Sequence, residues 1–329
     1  MKSLPLPGLS LLRLCTAVLA MGILLSPARA DEKVHGWQTV EVGGREYLSV
    51  EQIGRFYGLD RLRREGEKVV LENPKVVVKM EVGSPVCLMN GLKFIFEAPV
   101  TEADERVLVS RADLVKILDP VLRPKMIEKT GPVGTVILDP AHGGGDRGAA
   151  SELGNAADYA LKIAKLAEKE FRDKGFEVVL TRTEDVEVSP EKRLELANAV
   201  KDGAVFVGIT FGNPEDDEPG IGTAPLEVYE IPVADEEPVP ANFDRASLAL
   251  ASAIHGTLLG RRGKHSTDRG IKPAHRPDFA MLAHPAVFLD AGSLGDPAES
   301  RLIDNDAYQK AVASAICLGV LKYRNAVEK

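Results

Sequence analysis

Cysteine is scarce, with three in 329 residues. Cys15 falls in the N-terminal stretch, and Cys87 and Cys317 fall in different predicted domains, so two unpaired buried thiols are expected rather than a disulfide. Positive charge is also short, with 41 Lys and Arg against 49 Asp and Glu and a formal charge of −8. An acidic chain is a poor candidate for nucleic acid or an anionic membrane. The apolar run from Thr16 to Leu25 is too short to span a bilayer comfortably.

That run reads instead as part of a cleaved signal peptide over residues 1–30. Lys2 and Arg13 precede it, and Ala28-Arg29-Ala30 fits a small-x-small cleavage site. Arg13 and Leu14 before Cys15 are not the small residues of a lipoprotein signal. Removing Lys2, Arg13 and Arg29, with no acid among the first 30 residues, takes the charge from −8 to −11. The expectation is an exported protein of the periplasm or cell envelope that meets a membrane only during export. With 44% hydrophobic and 27% charged residues the rest looks globular, and its length suggests about two domains.

Residues 31–121 read as a small α+β domain. Gln38-Thr39-Val40-Glu41-Val42 alternates before Gly43-Gly44, and residues 68–71 and 76–80 are further strands. Asn90-Gly91 between two apolar runs is a hairpin signal. Residues 45–56 and 106–117 form a weak internal repeat, in which a strand leads to a serine that can cap a helix. This arrangement resembles the stalk-like domain found at the N-terminus of copper amine oxidases, a resemblance that implies no copper. Residues 122–132 read as a linker.

Residues 133–329 alternate strands with helices, which argues for an α/β fold with a mostly parallel sheet covered by helices on both faces. Val136-Ile137-Leu138 reads as a buried strand that Asp139-Pro140 and Gly143-Gly144-Gly145 end. His142 then sits just past a central strand, where open α/β sheets place ligands. Ala160, Ile163, Ala164, Ala167 and Phe171 form one stripe of an amphipathic helix that Asn155 can cap. A buried strand is expected at 205–209, and further strands at 226–230 and 286–290.

The ordered motifs carry a resemblance. Asp139-Pro140-Ala141-His142-Gly143-Gly144, then Asp146-Arg147-Gly148, Val179-Leu180-Thr181-Arg182 with Asp185, Arg193 with Ala197-Asn198, Asp268-Arg269-Gly270-Ile271 and Pro285-Ala286-Val287-Phe288-Leu289 follow one another. Residues 136–324 resemble the zinc-dependent N-acetylmuramoyl-L-alanine amidases of bacterial cell walls. The resemblance implies a histidine, a glutamate and a second histidine on zinc, with an open position for water, and a late glutamate as acid/base. Such a zinc lowers the pKa of its water and polarises an amide carbonyl.

Set on this chain, the resemblance leaves His142 as the retained ligand. Ala156 and Thr210 stand where the other two ligands belong, and Asp290 stands where the acid/base glutamate belongs. Alanine offers no ligand, and a neutral threonine hydroxyl is a poor one. Zinc, the cofactor of the family, is therefore expected to be weak or absent here. Substitutes considered are Glu152, Asp158, His255, His265, His275 and His284. Ser293 with Asp290 lacks a nucleophile-elbow pattern. Asp146, Arg147 and Arg269 are candidates for a substrate groove, and the acidic runs at 215–218 and 235–237 read as solvated loops. Two functions follow. One is a pseudo-amidase that binds peptidoglycan or a true amidase. The other is an active amidase, cutting the muramoyl–L-alanine bond with a remodelled metal site.

Overall fold

A computed structural model describes residues 36–127, 132–201, 203–212, 221–227, 242–261 and 267–328. The expected signal peptide, His265 and both acidic runs lie outside the described residues, as does the end of the strand expected at 226–230.

The N-terminal segment begins with β1 (Val40–Val42) and β2 (Arg45–Ser49), which lead into helix α1 (Val50–Tyr57). A meander follows: β3 (Arg61–Glu65), β4 (Lys68–Glu72), β5 (Val77–Glu81), β6 (Val86–Met89) and β7 (Leu92–Ile95). Its last turn is the expected one. Asn90 and Gly91 take φ of 50° and 83°, the pair of left-handed residues that a two-residue hairpin turn requires. Then come β8 (Thr101–Ala103), β9 (Arg106–Ser110), α2 (Arg111–Asp113), a π-type turn (Leu114–Leu118) and α3 (Asp119–Leu122).

The internal repeat is visible as structure. Ser49 Oγ accepts from Gln52 N–H at 3.3 Å, and Ser110 Oγ accepts from Asp113 N–H at 3.0 Å. The two strands that carry these caps lie antiparallel, Leu48 opposite Val109, at the centre of a small sheet ordered β1-β2-β9-β8. Ile53 and Leu114, equivalent in the repeat, are both buried. The start of the expected linker is ordered: a turn at Pro124–Met126 precedes the buried Ile127.

The second half contains β10 (Thr135–Pro140), α4 (Ala156–Asp173), β11 (Glu177–Leu180), α5 (Pro190–Asn198), β12 (Ala204–Gly212) and β13 (Ile221–Glu227). It ends with α6 (Asn242–Leu259), β14 (Asp268–Ile271), β15 (Ala274–His275), β16 (Ala286–Ser293), α7 (Pro297–Ile303) and α8 (Asp306–Val327). The stripe read on α4 is buried without exception. Burying each such Ile or Phe contributes about 1.5–3 kcal/mol, which is what holds α4 on the sheet. α4 and α6 both pack on α8 and on the sheet, whereas Ala197 of α5 joins Ile137, Phe206 and Phe279 in a separate core cluster.

The fold is mixed α/β, and the expectation of a mostly parallel sheet holds for only part of it. Strands β11, β10, β12 and β16 are parallel neighbours. β13 then returns antiparallel to β16, β14 runs parallel to β13, and β7 runs parallel to β14. The meander from β7 back to β3 is antiparallel, as tight hairpins dictate. The N-terminal strands thus continue the second half's sheet, and the described residues from Gln38 onward belong to one compact unit.

Candidate functional site

The site is built at the C-terminal end of β10. Asp139 is buried there and accepts from Thr181 Oγ1 and from Arg193 Nη1, each at 2.5 Å. Two arginines then fix the chain that leaves the strand. Arg182 donates to the carbonyls of Pro140, Ala141 and Ala157, and Arg193 donates to those of Pro140, His142 and Val188. The clamp has a reason. His142 sits at φ +60°, a left-handed conformation that costs a bulky residue about 1–3 kcal/mol and persists only where its surroundings impose it.

The glycines after His142 serve close packing. A Cβ at Gly143 would lie 2.3 Å from the Val186 carbonyl, and one at Gly148 would lie 2.5 Å from the His142 ring. The imidazole therefore lies on the bare backbone of Gly148. Its Nδ1 is 2.8 Å from Asp146 Oδ2, and its Nε2 is 3.4 Å from Thr210 Oγ1. The bond to His142 is the main reason the Asp146 carboxyl is held below the usual carboxylate range.

Of the other positions that the resemblance singled out, Thr210 faces this ring, Asp290 lies beside Thr210, and Ala156 begins the helix tied to the His142 loop. Ala156 opens α4 and is fully buried. Its N–H donates to the Ala149 carbonyl at 2.8 Å, and Ala157 N–H donates to the Arg147 carbonyl at 3.2 Å, which ties the helix start to the His142 loop. Thr210 lies on β12 directly beside Asp290 on β16. Asp290 Oδ1 accepts from the N–H groups of Gly212 and Gly292, at 3.0 and 3.2 Å, and Oδ2 accepts from Arg269. Burial pushes the Asp290 carboxyl up, and the Arg269 guanidinium opposes that push.

Beside them opens a cleft of about 370 Å³, lined among others by His142, Asp146, Arg193, Thr210 and Phe288. Arg276 roofs part of it, with its guanidinium 4.5 Å from the Phe288 ring centre. Of the three groove candidates, Asp146 lines the cleft. Arg147 is turned to Asp185 at 2.6 Å, and Arg269 is held by Asp290. Sequence reading matched Arg182 and Arg193 to motifs without finding their clamp, and it did not find Arg276. The available signal was an arginine directly after a strand, at Thr181-Arg182.

The substitute ligands whose side chains are described, Glu152, Asp158, His255 and His284, have other partners or surroundings. His284 is buried against the Ala197 carbonyl, and His255 is buried against Asp268. Asp158 is bonded to the helix cap Asn155, and Glu152 lines a second cavity with Leu153, Arg301 and Asp304. His275 belongs to β15, and its side chain is outside the described residues. Ser293 is buried, and its N–H donates to Glu299. Among the described residues no group of three or more His, Cys, Asp or Glu could hold a metal. One imidazole, an alanine methyl and a threonine hydroxyl do not fit a zinc that needs three protein ligands. Cys87 and Cys317 are free and buried, and burial pushes the Cys317 thiol up to about 11.

Comparison with known proteins gives consistent matches. The family model described as N-acetylmuramoyl-L-alanine amidase matches residues 136–322. N-acetylmuramoyl-L-alanine amidase AmiA of Salmonella typhimurium is 28% identical over 247 residues, covering 65% of this chain and 84% of that protein. The probable cell wall amidase LytH of Staphylococcus aureus is 26% identical over 202 residues, covering 58% of this chain and 59% of LytH. Among solved structures, an N-acetylmuramoyl-L-alanine amidase from Clostridium difficile 630 is 31% identical, covers 59% of this chain and 98% of that one, and has a TM-score of 0.48.

Proposed function

The chain belongs to the N-acetylmuramoyl-L-alanine amidase family, and we propose that it is a degenerate member that holds peptidoglycan in its cleft without cutting it. One observation carries this reading: Thr210 Oγ1, not a second imidazole, faces His142 Nε2 at 3.4 Å, while Ala156 presents only a methyl group. Zinc hydrolysis needs a tightly held metal with one open position, and a lone imidazole cannot supply that. Asp290, in the place of the family's acid/base, is a shorter carboxylate with both oxygens already engaged.

What remains is suited to binding. His142 with Asp146, the Arg276–Phe288 stack and Ser189 give the cleft donors, acceptors and an aromatic face. The whole reading is of a protein exported by a signal peptide over residues 1–30. It would act in the periplasm or envelope through residues 133–329, and residues 31–121 would form the small α+β domain before them. A true amidase is the alternative binding partner. Among the described residues no helix is long and apolar enough to cross a membrane.

A second reading has its own support: the clamped His142 loop and a carboxylate at Asp290 are what an active amidase with a rebuilt metal site would retain. Zinc stoichiometry separates the two. The mature protein, purified without chelator and dialysed against metal-free buffer, is expected to carry almost no zinc. It is also expected to sediment with purified sacculi without releasing muropeptide stems. Near one zinc per chain would establish the active reading in its place.

A further inference from the structure

The Asp290 carboxylate is held by a chain of contacts that begins in the N-terminal segment. Arg269 reaches Asp290 from β14, two strands away across the sheet. It can do so because the strand between them has a glycine at the crossing point. Gly222 of β13 pairs with Asp290, and a Cβ there would lie 3.2 Å from the Arg269 guanidinium. The aim of Arg269 therefore depends on where β14 lies.

β14 in turn is gripped by β7. Phe94 pairs with Ile271, and both side chains are fully buried. Lys93 Nζ donates to the Asp268 carbonyl at 3.2 Å, immediately before Arg269. Immediately after Arg269, Gly270 takes φ +86° under the Lys93 stem, and a Cβ there would lie 2.9 Å from Lys93 Cγ. On the helix side, Asp268 Oδ1 takes the N–H of Gly270 at 2.8 Å and faces His255 Nε2 at 2.9 Å. Lys93 thus touches the chain on both sides of Arg269.

We propose that Lys93 is a positioning residue for the cleft: from the N-terminal segment it fixes β14, and through Arg269 it seats the Asp290 carboxylate beside Thr210. The N-terminal segment is then part of the cleft's framework, and displacing it is felt at Asp290. This holds whether the cleft binds or cuts, because it rests on no ligand and no metal.

Hydrogen–deuterium exchange on the full mature chain tests it, read at single residues. The amides of Gly212 and Gly292 donate to Asp290 Oδ1 and so report its seat directly. Lys93→Met keeps the stem over Gly270 and removes only the ammonium. In that variant both amides are expected to exchange about tenfold faster, because local opening tracks the loss of local contacts. Ile137 and Val207, in the parallel strands, keep their protection, and Lys93→Arg restores Gly212 and Gly292. Unchanged exchange at those two glycines in Lys93→Met overturns the proposal. So does faster exchange spread evenly over Ile137 and Val207, which would make Lys93 a general prop. Lys93→Ala, which also removes the stem, is expected to exceed Lys93→Met at the same two amides and must not fall below it.

Discussion

Two halves of the same site have different fates. The frame behind His142 is complete. Asp139, Thr181, Arg182 and Arg193 satisfy one another and the carbonyls of residues 140–142. On the other face Thr210 meets His142, Asp290 is tied to Arg269 and Ala156 opens α4, Thr210 and Ala156 being the positions proposed to have lost zinc ligands. The difference shows which constraints belong to folding and which to chemistry. A buried carboxylate–guanidinium pair cannot lose one partner without leaving an unpaired charge in the core, so the frame resists change even when nothing is catalysed. A methyl group at Ala156 and a hydroxyl at Thr210 strand no charge in the core, so both residues are compatible with the fold.

The largest effect expected from breaking this comparison is on the frame. Arg193 and Asp139 side chains are 8% and 5% exposed. Arg193→Ala strands the Asp139 carboxylate and is expected to cost about 3–5 kcal/mol, read as a lowered urea midpoint. A change under about 0.5 kcal/mol, the usual scale of a surface substitution, would mean that the frame is not what holds the loop.

Next is that second face. Ala156→Glu alone puts a carboxyl group at a fully buried position, where it is expected to take up a proton and, as a neutral polar group without a partner, to destabilise by about 1–3 kcal/mol. Joined to Thr210→His, it completes a three-ligand set with His142. The double variant is then expected to gain about 2.7 kcal/mol when free zinc is a hundredfold above its dissociation constant. The parent chain's melting point is expected not to respond to zinc. A double variant equally indifferent to zinc would refute the assignment of those two positions.

A smaller effect is expected from Thr210→Ala. Its hydroxyl meets His142 at 3.4 Å, too long for a strong hydrogen bond. The loss should stay below about 0.5 kcal/mol, with sacculus binding unchanged. A drop in binding of tenfold or more, about 1.4 kcal/mol, would instead make Thr210 a direct ligand contact.

How much of this was legible in the sequence depends on the range of the interaction. Asn90-Gly91, the Ser49 and Ser110 caps and the stripe on α4 are local, and each is where its pattern puts it. His142 was legible too, because a short apolar run followed by Asp-Pro and glycines marks the end of a strand. The β7–β14 junction was not. Phe94 and Ile271 are each ordinary apolar strand residues, and nothing in their periodicity says that they pair. The antiparallel return of β13 was hidden for the same reason, since alternation gives a strand's faces but not its neighbours. The Arg269–Asp290 pair needs the gap at Gly222, which is visible only once β13 lies between them.

The smallest expected effect separates the frame from the face by pH. The Asp146 carboxyl is held below its ordinary value, first by its bond to His142 and also by the Gly148 N–H. A folded-state pKa below the unfolded value of about 3.9 contributes stability that is fully present above that value and lost as pH falls through the folded one. Asp146→Asn should therefore lower the urea midpoint slightly at neutral pH. The difference from the parent should close as pH drops below about 4. The side chain is 56% exposed, so salt should shrink the difference further. Asp139 makes the contrast. It is buried, and its bonds to Thr181 and Arg193 do not depend on the cleft, so Arg193→Ala should keep most of its cost in salt that erases the Asp146 effect. If salt reduced both costs equally, the division between a folded frame and an exposed face would fail at the residue where the two meet, His142.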